Sequence, residues 1–95
     1  MAMDIYEQIA VKIVAGQETI IGPVAVEQAQ RVSHLKLDWG KHEAAIDKGN
    51  GVETLEGLIK VYQELFGQIS VEVSRQSAAT LLSQLADNQL PAALK

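Results

Sequence analysis

His34, Asp38 and His42 stand four and four apart, and they come nearest of any residues in the 95-residue chain to a metal site. Two imidazoles and a carboxylate suit a divalent metal when one rigid element holds them, and on a helix this spacing would align all three. Trp39-Gly40 and the alternating pattern around it argue against a helix, so the ligands are not preorganised. Polar residues around a surface turn fit better. "KGNG", residues 48–51, looks like a phosphate cradle but lacks the Lys-Ser/Thr that a P-loop carries after its glycines. Glu53 and Glu56 in the following turn would repel a phosphate. Ser33, Ser70, Ser74, Ser77 and Ser83 lack the strand–elbow context of an activated serine. Asp4/Glu7 and Glu53/Glu56 sit at helix starts, where the macrodipole favours acids for structural reasons. The chain therefore reads as no enzyme, with no catalytic, cofactor-binding or metal-binding residue assigned.

Composition narrows the partners. The net charge is −4, the pI is about 5.0, and the eight basic residues are scattered singly. Nucleic acids and anionic membranes both need a basic face, so neither is an expected partner. There is no cysteine, which removes disulfides, thiolate metal sites and Cys nucleophiles. The start, "MAMDIYEQIAVKIVAG", carries acids where a signal peptide needs bases, and no apolar run approaches a membrane span. A cytoplasmic location is expected. Aromatics are only 4% against 47% apolar residues, so the core must be aliphatic.

Those residues must be positioned by a few elements. Asp4 with Glu7 forms a capping-box start, and Ile5, Ile9, Ile13 and Ile20 recur at helical spacing up to about Ile21. Gly22 is expected to supply a left-handed C′ residue, and Pro23 to open a second helix reaching about Ser33. Leu35, Leu37 and Trp39, then Ala44 and Ile46, alternate around Gly40-Lys41, a weak hairpin pattern, so the insert at 34–50 is expected to be either a small β-hairpin or an irregular loop. A lone two-stranded hairpin is marginal and must pack on helices or pair with another chain. Asn50 with Glu53 repeats the capping pattern before a strong stripe through Leu55, Leu58, Ile59 and Tyr62. Gly67 stops it. A fourth helix is expected over 68–86, and Pro91 sits in a short tail at 87–95.

"IIGPVAVEQAQR" at 20–31 is echoed by "LFGQISVEVSRQ" at 65–76. A shift of 45 positions places Gly22 on Gly67, Ala10 on Leu55, Ala25 on Ser70 and Ala29 on Ser74. The expected fold is thus one mainly α domain: a helix pair at 4–33, the insert, and a second pair at 51–86, each pair bent at a glycine corner (Gly22-Pro23 and Gly67). Chance similarity between amphipathic segments, or strands at "VAV" and "ISVEV", are the alternatives.

The combination of "IIGPVAVEQAQRV", a spacer and "LEGLIKVYQELFGQISVEVSR" resembles an uncharacterised small helical domain of cyanobacterial and other bacterial proteins. It is similar to the G-P-[IV]-A helix starts that accompany roadblock-type regulatory modules, carried here by Gly22-Pro23-Val24-Ala25. Gln68 replaces the proline in the second half. The resemblance implies a signalling or assembly context and brings no catalytic residue with it.

Four short amphipathic helices offer more apolar stripe than one small bundle covers. The expected function is a protein–protein interaction and assembly module. Its partners would be itself, as a homodimer or higher even oligomer, and another protein. Interface candidates are Val73 and Leu81 on the fourth helix, Ser70 and Ser74 where a partner helix could approach closely, and Trp39, the lone tryptophan, expected to be partly buried. The alternatives are a helical protein holding a small apolar molecule, and an acidic helix-turn-helix regulator.

Overall fold

Asp4 opens the first helix through a reciprocal capping box: its Oδ1 accepts the Glu7 N–H at 2.8 Å, and Glu7 Oε1 accepts the Asp4 N–H at 2.9 Å. The computed structural model describes residues 3–94. Helix α1 runs Ile5–Ile21 and α2 Val24–Ala29; strands β1 (Leu35–Asp38) and β2 (Glu43–Ile46) flank a 3-10 turn at Trp39–Lys41. Helices α3 (Gly51–Phe66), α4 (Gln68–Ser77) and α5 (Ala79–Leu82) follow, and 3-10 turns at Asp87–Gln89 and Ala92–Leu94 close the described chain. The fold is mainly helical (67%) with one small antiparallel hairpin.

The helix count differs from expectation. The segment at 68–86 is not one helix: Ala78 leaves helical geometry at φ −107° and ψ 8°, and α5 ends at Leu82. No glycine or proline interrupts residues 68–86, so the bend is imposed by packing; Ala78 and Leu82 are both buried at it. Helix α2 ends at Ala29 rather than near Ser33. Arg31 and Val32 make tight bonds to Gln28 and Ala29 carbonyls, and His34 reverses the chain with φ 68°. Asn50 does not cap α3; its amide turns back to the Lys48 carbonyl.

Gly22 and Gly67 end α1 and α3 with nearly the same backbone, φ 76° and ψ −159° against φ 79° and ψ −168°. The positive φ is joined to an extended ψ, so both residues sit in a region open essentially to glycine alone, not in the left-handed helical well. Each corner N–H closes its helix on the carbonyl four residues back, Glu18 and Gln63, at 2.9 and 2.8 Å.

Helix α4 crosses α1 closely because Gly16 has no side chain: a Cβ there would lie 2.7 Å from Ser77 Cβ. Buried Gln17 extends across the same crossing. Its amide donates to the Ser70 carbonyl at 2.8 Å and the Ser74 hydroxyl at 3.1 Å. The buried Tyr62 hydroxyl donates to the Ala25 carbonyl of α2 at 2.7 Å.

In the hairpin Leu35 faces Ile46, Lys36 faces Ala45, Leu37 faces Ala44 and Asp38 faces Glu43. Leu35 and Ala44 are buried and Leu37 and Ile46 half-buried, whereas Lys36, Asp38 and Ala45 on the opposite face are exposed. Helix α1 lies along β2. There the Ile46 N–H meets Glu7 Oε2 at 2.8 Å and the Ala44 N–H meets Met3 Sδ at 3.4 Å.

Residues 87–94 form no free tail. Tyr6 donates to the Gln89 carbonyl, the Ala92 N–H reaches Glu56, and Pro91 and Leu94 are buried. Lys95 lies outside the described residues.

Candidate functional site

The residues best suited to chemistry are dispersed. His34 Nδ1 lies 3.0 Å from Asp47 Oδ2, while the His42 ring tilts against Trp39 with centroids 4.8 Å apart. Asp38 meets neither histidine. Among the described residues no three His, Cys, Asp or Glu side chains come together closely enough to hold a metal ion.

Surface clefts of about 300, 310 and 250 Å³ lie among the described residues. The first is bounded by Met3, Glu7 and hairpin residues 36–38 and 43–45; the second runs between Ser33 and the Gly57 face of α3; the third lies at Asp4, Tyr6 and Gly49. Their linings mix carboxylates, backbone and scattered aliphatics, without the convergent polar groups on an apolar wall that orient a small ligand.

A different feature stands out at the corners. Ile20, Leu65 and Ile69 are 63%, 54% and 72% exposed, the large aliphatics that the core leaves in solvent among the described residues. Ile20 precedes Gly22 by two residues, Leu65 precedes Gly67 by two, and Ile69 follows Gly67 by two. The Gln17–Ser70 bond ties the last turns of α1 to the first turn of α4, so Ile20 and Ile69 belong to the same end of the molecule. Exposed aliphatics gathered at one end mark an interaction surface more often than isolated ones do.

The sequence-derived interface residues divide. Ser70 and Ser74 are 2% and 0% exposed and face α1 of their own chain, so they are corrected from interface to core. The close helix approach that their small size permits takes place against Gln17 of α1, while Gly16 meets Ser77. Val73 and Leu81 are half-buried. Trp39 is half-buried as well, its Nε1 donating to Glu18 Oε2 at 3.0 Å. Glu72 pairs with Arg75 at 2.8 Å, and Arg31 donates to Gln28 Oε1 at 3.4 Å. Burial first, and the Glu18 carboxylate second, push the Tyr62 hydroxyl well above its ordinary range.

Comparison with protein-family models, curated proteins and solved structures finds no match for the chain.

Two structural residues were legible but missed. Gln17 continues the Ile5, Ile9, Ile13 series at a spacing of four, and a polar residue on an apolar stripe requires a buried partner. Gly16, inside a helix, signals close backbone approach. The exposure of Ile20 and Ile69 had no sequence signal, because each fits its helix's apolar pattern.

Proposed function

We propose that this protein is a small, non-catalytic interaction and assembly module, a cytoplasmic signalling or regulatory adaptor that works as a homo-oligomer. The observation that carries the reading is the exposure of Ile20, Leu65 and Ile69 at the glycine-corner end. Three aliphatics held in water lose the transfer free energy that a contacting surface would return, about 1.5–3 kcal/mol for each side chain fully covered. No helix among the described residues is long and apolar enough to cross a membrane, so a protein surface is the cover that this reading assigns.

We also infer that the two helix pairs descend from one duplicated helix–glycine–helix unit. Support comes from the lengths of α1 and α3 (17 and 16 residues) and the shared corner geometry. The burial of equivalent small residues supports it too: Ala25 with Ser70, and Ala29 with Ser74. The corner end would then be a doubled surface, with Ile20 and Leu65 as its matching members.

Light scattering and sedimentation of the whole chain test the reading. A mass above the 10.3 kDa of one chain at micromolar concentration is expected, and Ile69→Glu should weaken capture of the partner surface by burying a charge. A single-chain mass at every concentration overturns the homo-oligomer.

A further inference from the structure

We propose that two copies of this chain join antiparallel along β1, centred on Leu37, to make a four-stranded sheet. The inference rests on the homo-oligomer reading and specifies its seam.

The two edges of the hairpin are treated differently. The Asp47 N–H bonds the His34 carbonyl at 3.1 Å, which fixes His34–Asp47, Lys36–Ala45 and Asp38–Glu43 as the hydrogen-bonded pairs. Residues of the intervening pairs turn their backbone outward. On β2 these are Ala44 and Ile46, whose N–H groups are taken by Met3, just before α1, and by Glu7 of α1, the helix that lies along that edge. On β1 they are Leu35 and Leu37. The Leu35 N–H bonds the Val32 carbonyl, but among the described residues nothing meets the N–H or C=O of Leu37. An open edge strand is a template for another strand.

The sequence of this edge says which strand fits. Lys36 and Asp38 flank Leu37 symmetrically, both exposed, and neither has an ion-pair partner among the described residues. In a twofold antiparallel seam with Leu37 opposite Leu37, the two Leu37 residues exchange both backbone bonds. Lys36 of each copy then falls opposite Asp38 of the other. That pair is non-hydrogen-bonded across the seam, the arrangement in which side chains come closest. The register one step away would set Lys36 against Lys36. Within one chain Asp38 sits directly across from Glu43, a like-charge pair. A second copy would add Lys36 to that row and relieve it. On the other face Leu37, half-buried alone, would meet its own copy.

The seam is tested by charge exchange on the exposed face, where folding is not at stake. Wild type should associate reversibly in sedimentation across a dilution series. Lys36→Asp and Asp38→Lys should each weaken association about tenfold or more, since each replaces two attractive pairs by two repulsive ones. The double variant Lys36→Asp/Asp38→Lys should recover it. A mixture of the two single variants should form a heterodimer, because one chain then presents two acids and the other two lysines. Singles that associate like wild type overturn the seam. So does a double variant as weak as the singles. If association ignores all these changes but falls with Ile69→Glu, the homo-oligomer stands and the β1 seam falls. A wild-type chain that stays single throughout removes both.

Discussion

Gln17 and Tyr62 do the same work from opposite halves of the chain. Each is a buried polar side chain on a long helix, and each donates to a carbonyl on the short helix of the other half: Gln17 to Ser70, Tyr62 to Ala25. The donors are 45 positions apart (62 − 17), and so are the acceptors (70 − 25). Two unlike side chains thus satisfy one geometric demand. Helices packed at a close crossing leave no water to complete such groups, and each bond offsets desolvation that would otherwise cost about 1–3 kcal/mol.

Tyr62 should make the protein sensitive to alkali. Its hydroxyl ionises at higher pH in the folded chain than its ordinary value of 10.0, because burial, and then Glu18, oppose the charged form. Above pH 10 the unfolded chain therefore releases this proton while the folded chain keeps it, so stability falls as pH rises. The slope approaches about 1.4 kcal/mol per pH unit, and below pH 10 this residue adds no pH dependence. Tyr62→Phe should lose about 1 kcal/mol at neutral pH and show a shallower alkaline decline. Urea melts at a series of pH values measure both; equal alkaline slopes for the two proteins would contradict the assignment.

Gly16 and Ser77 should behave as a coupled pair. Gly16→Ala gains about 1 kcal/mol of helix propensity but drives a methyl into Ser77, an overpacking cost of about 1–3 kcal/mol. Ser77→Gly clears that space. In a double-mutant cycle the alanine should be tolerated at least 1 kcal/mol or so better when residue 77 is glycine. Additive effects would mean that α4 shifts away freely.

Much of the fold was legible because local chemistry agreed with it. Asp4 and Glu7 cap α1, Gly22 and Gly67 end two helices, and the alternation of Leu35 and Leu37 marked a strand. What was illegible depends on tertiary contact. Residues 68–86 read as one helix because no residue there forbids it, and only packing bends Ala78. Ser70 and Ser74 advertised a close helix approach without saying whose helix would come, and it was α1 of the same chain. The edge of β1 could not be found from periodicity either. Which backbone groups point outward depends on register, and α1 had to be placed on β2 before one edge was seen to be open.

The corners separate two kinds of positive φ. A Cβ at Gly22 or Gly67 would touch nothing within 4 Å, so any cost of substitution is backbone strain alone. Alanine at either position should cost about 1–3 kcal/mol. Asparagine, which tolerates the left-handed helical well, should rescue little here, since ψ is −159° and −168°. Denaturant melts of Gly22→Ala and Gly22→Asn decide the matter: a clearly milder asparagine variant would point to a left-handed helical corner.

Thr54 offers stabilisation by removal. It is 1% exposed in the first turn of α3, and its Oγ1 is buried with no hydrogen-bond partner among the described residues. Its backbone N–H is already satisfied by the Asn50 carbonyl at 2.9 Å, so the hydroxyl alone carries the deficit. A buried hydroxyl without a partner costs about 1–3 kcal/mol. Valine keeps the branched shape and replaces the hydroxyl by a methyl. Thr54→Val should therefore stabilise by about 1 kcal/mol, seen as a rise in Tm of about 4–8 °C for a domain this size. Thr54→Ser is the control: it keeps the hydroxyl, loses the methyl, and should destabilise by about 1 kcal/mol. If valine destabilises as much as serine does, the hydroxyl is hydrogen-bonded after all, to a water enclosed beside the helix start.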